Sequence, residues 1–199
     1  MVGLVISSVI QVCLFSLIPF ICWLITGRKE NFFKWLGIKK PRFTKKITTT
    51  LLITIVAAAV YTLVMTFVTK HFLGGVDTST SQFAGMGLAT VPSALIYALI
   101  QTSLSEEIFF RGFLAKRLIG KLGFAAGNSI QALCFGLVHG VPLYLATTNI
   151  LVLILATLFP ALIGFYMGYL NEKMAEGSIV PSWLTHGVLN IISAIVAGL

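Results

Sequence analysis

Ser105-Glu106-Glu107-Ile108-Phe109-Phe110-Arg111 is a short segment in which two carboxylates and a guanidinium lie within an otherwise apolar stretch. The whole sequence contains only six acidic residues, and two of them are adjacent here. Charged side chains are costly inside a bilayer, so an ionisable cluster in an apolar helix indicates a functional site. On a helix, Glu107 and Arg111 are four residues apart in the order that favours an ion pair.

A buried structural salt bridge is the simplest alternative interpretation of this segment. It accounts for Glu107 and Arg111, because the two charges neutralise each other. Glu106 points about 100° away from its neighbour around the helix axis, so it lacks that partner. The salt bridge therefore leaves Glu106 unexplained, and we predict that Glu106 has a functional role.

The composition around this segment is typical of a polytopic membrane protein. Of the 199 residues, 57% are hydrophobic and only 10% are charged. This balance excludes an ordinary soluble globular domain, and the length accommodates about six to eight spans of ~20 residues. We therefore predict an all-α bundle of about six transmembrane helices, with residues 1–199 forming one integral membrane domain.

The positive charge of the chain is concentrated in one loop. The formal net charge is +8, and eight of the 14 basic residues lie between residues 28 and 46. Short loops rich in Lys and Arg remain cytoplasmic, so loop 28–46 is expected to be cytoplasmic and the N-terminus to lie outside. Four aromatic residues in the same loop favour contact with an anionic lipid leaflet over binding to nucleic acid. The sequence thus predicts a multi-pass protein of the cell membrane.

Apolar stretches separated by polar turns predict six spans. Residues 1–26 carry no charge and show no signal-peptide cleavage pattern, so we expect them to be a retained first span. In this arrangement twelve basic residues are cytoplasmic and Lys70 is external. The remaining spans are expected near residues 47–69, 91–116, 124–139, 149–170 and 178–199.

Proline and glycine refine the two spans before the last. The segment 140–148, with Pro142, is expected to return the chain to the outside, and Pro160 is expected to kink the fifth span. Gly164 and Gly168 are four residues apart and should allow a neighbouring helix to approach closely.

Three further polar residues lie inside the predicted spans: His139, His186 and Asn190. His186 and Asn190 are four residues apart and therefore share one face of the last span. If the third and fourth spans form a hairpin about residues 122–123, Glu106 and His139 are equally far from the turn and lie at one level. We therefore expect these four side chains to converge in one cavity.

The side chains in this group are suited to the hydrolysis of an amide bond by water. A carboxylate beside an imidazole can act as the general base for one water molecule. An imidazole and an amide on the opposite side can donate to the developing oxyanion, and no serine or cysteine nucleophile is needed. A zinc site is the main alternative, since Glu106, His139 and His186 are possible ligands. Against it, the sequence lacks the H-E-x-x-H and H-x-x-E-H spacings.

Three ordered motifs resemble those of a known family. Together they are similar to the motifs of the CPBP family, the CAAX-protease and bacteriocin-processing membrane proteins also called Abi. The resemblance covers approximately residues 92–199, which we interpret as the motif-bearing core. The motifs are Glu106-Glu107-x-x-x-Arg111, Phe135-x-x-x-His139 and His186-x-x-x-Asn190.

The resemblance implies an intramembrane glutamic endopeptidase that requires neither a metal nor another cofactor. By this resemblance, Glu106 and His139 would activate the water, while His186 and Asn190 would hold the oxyanion. The residues that would orient the site are Glu107, Arg111 and Phe135.

The substrate implied by the resemblance is a membrane-associated peptide or protein. Eukaryotic members remove the last three residues of prenylated CAAX proteins, whereas small bacterial members are associated with bacteriocin maturation, self-immunity or signalling. The sequence selects neither a substrate nor an oligomeric state. Some members act by binding membrane partners, so a non-proteolytic regulator or immunity protein is the alternative. A transporter is less favoured, since the sequence shows no inverted repeat.

Overall fold

The computed structural model describes residues 1–26, 28–43, 47–72, 74, 76 and 78–199. It contains six helices that are long and apolar enough to cross a membrane, which confirms the predicted all-α bundle of six spans. We call them the first to the sixth span in chain order. They are Val2–Ile25, Leu52–Phe72, Gly87–Leu122, Phe124–Thr147, Ile150–Met174 and Val180–Gly198.

Short elements connect the spans. A five-residue helix, Phe32–Leu36, lies in the basic loop, where the Asn31 side chain accepts a hydrogen bond from the backbone N–H of Phe33. Residues 44–46 of the predicted basic loop lie outside the described residues. Two 3₁₀ turns, Ser81–Phe83 and Gly87–Ala89, precede and open the third span.

The outer faces of the spans are apolar, as a hydrocarbon solvent requires. Leu14, Leu63, Leu158 and Val196 are examples of large side chains that point away from the bundle. A bilayer offers no hydrogen bonds to the backbone, so each crossing segment must satisfy its own N–H and C=O groups as a helix. The polar side chains are thereby directed to the interior, where they form the site.

The third span departs from regular α-helical geometry on both sides of the two glutamates. Wide π turns leave carbonyl groups that side chains must satisfy, and such turns are frequent at functional sites. The Thr102 hydroxyl donates to the Tyr97 carbonyl over 3.1 Å, and the Trp183 indole donates to the Leu99 carbonyl over 2.6 Å. The successive segments are Thr90–Ile96 (α), Tyr97–Leu104 (π), Ser105–Glu107 (α), Ile108–Ala115 (π) and Lys116–Leu122 (α).

The turn between the third and fourth spans is where the sequence places it. The third span ends at Leu122, Gly123 adopts a φ of +78°, and the fourth span begins at Phe124. This tight hairpin confirms the register that aligns Glu106 with His139.

The predicted end of the fourth span is wrong. The helix does not turn outward after His139 but continues through Pro142 to Thr147. Loss of one N–H at a proline costs less in a bilayer than an irregular segment, in which several backbone groups would lack partners. Pro160 is likewise accommodated inside a continuous helix, Ile150–Tyr169.

The fourth and fifth spans pack closely along glycines. A Cβ atom at Gly136 would collide with the Thr157 carbonyl oxygen, and one at Gly168 would collide with the Asn128 side chain. Asn128 in turn donates to the Phe165 carbonyl over 2.8 Å. This packing sets the position of the helix face that carries Phe135 and His139.

Candidate active site

The main cavity, with a volume of about 600 Å³, lies among the spans and is lined by residues from all six of them. Glu106, His139 and His186 meet on its wall, and Asn190, which also lines it, lies one helical turn from His186. Phe135 also lines this cavity. The structure therefore brings together the four side chains that the sequence predicts to be catalytic.

Glu106 faces both imidazole rings without touching either. Its Oε2 atom lies 3.7 Å from Nε2 of His186 and 4.0 Å from Nε2 of His139. That buried oxygen has no hydrogen-bond partner among the residues that the structure describes. The gaps are too long for direct hydrogen bonds. Gaps of this length between polar groups are typically bridged by a water molecule.

The tautomers of the two histidines follow from the partners of their Nδ1 atoms. Nδ1 of His139 lies 2.7 Å from the Phe135 carbonyl oxygen, and Nδ1 of His186 lies 3.1 Å from Oε1 of Glu107. A carbonyl or carboxylate oxygen only accepts, so each Nδ1 carries the hydrogen. Each neutral ring then presents the lone pair of Nε2 to Glu106. Three proton acceptors thus converge on one small volume.

Glu107 and Arg111 form the ion pair that their spacing predicts. Nη1 of Arg111 lies 2.9 Å from Oε1 of Glu107, and both side chains are almost completely buried. The guanidinium carbon also lies 4.0 Å from the centroid of the Phe135 ring. A cation over an aromatic face is stabilised by the ring quadrupole, most strongly where water is excluded. The pair therefore joins the third span to the fourth.

Two residues that the sequence analysis did not identify complete the surroundings of Glu107. The Ser182 hydroxyl donates to Oε2 of Glu107 over 2.5 Å, and the Asn171 amide donates to the Ser182 hydroxyl over 2.7 Å. Ser182 lies four residues before His186, so the shared helix face was a signal for it. Asn171 carried no such signal, since it lies between the predicted fifth and sixth spans.

Asn190 is anchored to the third span. Its amide nitrogen donates to the Thr102 hydroxyl over 2.8 Å and to the Ser103 hydroxyl over 3.3 Å. An amide nitrogen has two hydrogens, so both are used within the protein in this state. No sequence signal distinguishes Thr102 and Ser103 either, because isolated hydroxyl residues are common in membrane helices.

A second cavity, of about 470 Å³, reaches Glu106 and His139 from another side and is called the side cavity here. It lies between the first, third and fourth spans, and its walls include Leu14, Phe109 and Val138. Glu106 and His139 line this cavity as well as the main one. The walls of this side cavity are mainly apolar, in contrast to the hydroxyl and amide groups of the main cavity.

The described part of the chain contains no group of three His, Cys, Asp or Glu side chains that could hold a metal ion. The three cysteines are free thiols.

Comparison with known proteins identifies a family. The family model described as type II CAAX prenyl endopeptidase Rce1-like matches residues 88–192, which is more than half of the chain. The match runs from the start of the third span into the sixth and includes every residue from Glu106 to Asn190. Searches of curated proteins and of solved structures found no match. This chain is therefore a member of the Rce1-like type II CAAX prenyl endopeptidase family, a family of membrane proteases.

Proposed function

We propose that this protein is an intramembrane glutamic endopeptidase that cleaves a membrane-associated peptide or protein with a water activated by Glu106 and His139. One observation carries the proposal. A buried carboxylate oxygen without a hydrogen-bond partner in the described chain faces two imidazole lone pairs at 3.7 and 4.0 Å. A general base must be within reach of the proton that it abstracts, directly or through one water.

In the proposed reaction, a water molecule lies between Glu106 and the two rings. Glu106 accepts one proton from it, and His139 orients it through Nε2. The water oxygen bonds to the carbonyl carbon of the peptide and produces a tetrahedral oxyanion. When the C–N bond breaks, the proton held by Glu106 passes to the leaving nitrogen. The products are a carboxylic acid and an amine, and Glu106 is regenerated.

His186 and Asn190 are proposed to stabilise the oxyanion. Since Nδ1 of His186 donates to Glu107, Nε2 donates to an oxyanion only when the ring is protonated. The Glu107 carboxylate, 3.1 Å away, stabilises that positive charge. Asn190 must exchange one of its bonds to Thr102 or Ser103 for a bond to substrate. Oriented donors of this kind are usually a large part of catalysis in acyl transfer.

The apolar side cavity supports a substrate with an apolar group next to the cleaved bond. A prenylated CAAX protein and a hydrophobic peptide of the bacteriocin type both satisfy this description. We therefore propose that the protein acts either in CAAX-type processing or in peptide maturation or self-immunity. We also propose that residues 1–199 act as one membrane domain, because all six spans line the main cavity.

The test is to replace Glu106 by Gln, which preserves the size and polarity of the side chain but removes the base. Cells that produce wild-type protein or Glu106→Gln at equal abundance are compared for the peptides in their membranes. The variant is expected to lose the cleavage products and to accumulate the precursor. Glu176→Gln, which changes an exposed carboxylate in the turn before the sixth span, is the matched control and should resemble wild type. Full biological function of Glu106→Gln at wild-type abundance would instead establish a non-proteolytic regulator.

A separate measurement concerns the proposed independence from metal. Because Glu106 and His139 are proposed to act on water directly, purified protein should contain no stoichiometric zinc, and hydrolysis should continue in the presence of a chelator. If removal and return of zinc switched hydrolysis off and on, Glu106, His139 and His186 would be ligands instead.

A further inference from the structure

The main cavity extends from Glu106 in one direction along the bundle. On the third span, the other lining residues are Thr102, Gln101 and Tyr97, which lie progressively closer to the start of that span at Gly87. Beyond them, the cavity is lined by Thr78 and neighbouring polar residues of the loop that precedes the third span. The cavity therefore runs toward the end of the bundle that carries this loop.

The sixth span shows the same direction. Its lining residues His186, Asn190 and Ser193 progress away from its beginning at Val180. Pro142 of the fourth span also lines the cavity, in the half of the helix that ends at Thr147. Spans of opposite chain direction thus place their lining residues at the same end of the molecule.

The opposite end is closed by the helix of the basic loop. Leu36 is fully buried there, and its backbone oxygen packs against Gly112 of the third span. The backbone N–H of Ile179 donates to the Gly37 carbonyl over 2.9 Å. The Ser178 hydroxyl donates to the Lys39 carbonyl over 2.6 Å. None of these six residues lines the cavity.

An ion pair strengthens the closed end. Nζ of Lys116 lies 2.7 Å from Oε1 of Glu172 and also donates to the Gly177 carbonyl over 2.7 Å. The guanidinium of Arg117 stacks over the Trp35 ring, with its carbon 3.5 Å from the ring centroid. These contacts join the basic loop, the third span and the turn before the sixth span into one layer.

Charge assigns the two ends to the two sides of the membrane. By sequence, twelve basic residues belong to the closed end and its turns, whereas Lys70 belongs to the open end. Short loops rich in Lys and Arg remain in the cytoplasm. The closed end is therefore cytoplasmic, and the open end faces the opposite compartment.

The route from the open end to Glu106 is polar. Gln101 donates to the Gln11 side chain over 3.4 Å, and Gln11 donates to the Ser105 hydroxyl over 3.4 Å. Polar groups inside a membrane protein characteristically face a water-filled cavity. The polar side chains of this wall can hold water molecules and can form hydrogen bonds with the backbone amides of an extended peptide.

We infer that the site receives its substrate from the extracytoplasmic face of the membrane, as an extended peptide segment that enters beside the loop before the third span. This inference rests on the proposed function for the cleavage itself, but it specifies the side of entry. It selects peptides that are exposed outside the cytoplasm over the cytoplasmic C-terminus of a prenylated protein.

Cysteine labelling tests the direction of the opening. In a full-length background with Cys13, Cys22 and Cys134 replaced by Ala, Ser193→Cys places a thiol on the cavity wall. Ile192→Cys is the matched control, since the adjacent Ile192 faces outward with 40% exposure to the lipid. A charged, membrane-impermeant methanethiosulfonate added to intact cells should label Ser193→Cys. It should not label Ile192→Cys, because a thiol in hydrocarbon does not ionise.

Lys34→Cys reports the closed end in the same background. It should be labelled only after the cells are permeabilised. Labelling of Ser193→Cys only after permeabilisation, or no labelling from either side, would overturn the inference. Labelling of Lys34→Cys from outside would overturn it as well.

The labelling result is independent of turnover, so it separates this inference from the proposed function. Ser193→Cys should be labelled equally with and without Glu106→Gln. If Glu106→Gln retained peptide cleavage while Ser193→Cys was labelled from outside, the glutamate mechanism would be wrong and the direction of entry would stand. If Glu106→Gln lost cleavage and Ser193→Cys was labelled only after permeabilisation, the glutamate mechanism would stand and the direction of entry would be wrong.

Discussion

At the scale of single residues, Glu106 and Glu107 show how two adjacent carboxylates acquire different roles. Glu107 is surrounded by Arg111, His186 and Ser182, which lie 2.9, 3.1 and 2.5 Å from its oxygens. Oε2 of Glu106 faces the cavity without such a partner in the part of the chain described. One carboxylate therefore maintains the arrangement of the helices, and the other remains available for chemistry.

This difference predicts that Glu107→Gln and Glu106→Gln have different effects on stability. Glu107→Gln leaves the buried Arg111 guanidinium without its charge partner, which typically costs about 3–5 kcal/mol. We expect a lower abundance in membranes and a lower melting temperature in detergent. Glu106→Gln is the matched control and should remain near wild type in both measurements. Equal stability of the two variants would show that the ion pair does not hold the third span in place.

At the scale of elements, the glycines between the fourth and fifth spans position His139. Gly136 lies against the Thr157 carbonyl, and Gly140 lies against the Thr157 side chain. The face that carries Phe135 and His139 is therefore held against the fifth span with little freedom to move. A small displacement of this helix would lengthen the 4.0 Å gap between His139 and Glu106.

Gly136→Ala is expected to destabilise the protein, because the new Cβ meets backbone and not a movable side chain. Overpacking of this kind typically costs about 1–3 kcal/mol. Activity should fall together with the melting temperature, since His139 moves with the helix. Gly120→Ala is the control: that glycine is also helical, but nothing in the described chain lies within 4 Å of its added Cβ. Its effect should be neutral or slightly stabilising. An equal loss of stability in both variants would show that the collision at Gly136 is not its cause.

The third span also shows why local geometry matters at this scale. Its two π segments, Tyr97–Leu104 and Ile108–Ala115, rotate residues on either side of the glutamates relative to a regular α-helix. Thr102 and Ser105 use their hydroxyls to satisfy nearby carbonyls, and Thr102 also receives the Asn190 amide. The same widened turns thus support both the backbone and the cavity wall.

At the scale of the whole molecule, the basic loop closes one end of the bundle. Gly37 adopts a φ of +84°, and a Cβ at this position would collide with the Gly177 carbonyl oxygen. The close approach of the two backbones brings the Gly37 carbonyl to the Ile179 N–H at 2.9 Å. The closure therefore depends on a position that only glycine fills without strain.

Gly37→Ala should release the loop helix from the bundle and expose it to protease. Inside-out vesicles treated with trypsin should show faster cleavage after the lysines and arginines of the loop. Gly85→Ala is the matched control, because Gly85 also has a positive φ, +72°, but no described atom lies within 4 Å of its added Cβ. Both variants carry the strain of a left-handed alanine, so a difference between them reports the collision alone. Equal cleavage rates would show that the loop is not held by this contact.

Much of this fold and of its site is predictable from local features of the sequence. Apolar length predicts the six spans, because a bilayer requires helices of that length. The period of the helix predicts the Glu107–Arg111 pair, and the hairpin at Gly123 predicts that Glu106 and His139 share a level. The ordered motifs predict the family. Each of these inferences depends on residues that are close in the chain, or on how far a residue lies along its helix from a turn.

The tertiary structure alone decides which helix faces meet. It places Nε2 of both His139 and His186 opposite the same Glu106 oxygen, and it recruits Ser182 and Asn171 to Glu107. It also continues the fourth helix past Pro142, where local propensity predicted a turn. The rotation of a helix about its axis depends on packing with helices distant in sequence and on the hydrogen bonds that a bilayer does not supply. The sequence by itself thus determined the number of spans and the motif residues, whereas the structure decided where the fourth span ends and packing between distant helices decided the partners of each polar group.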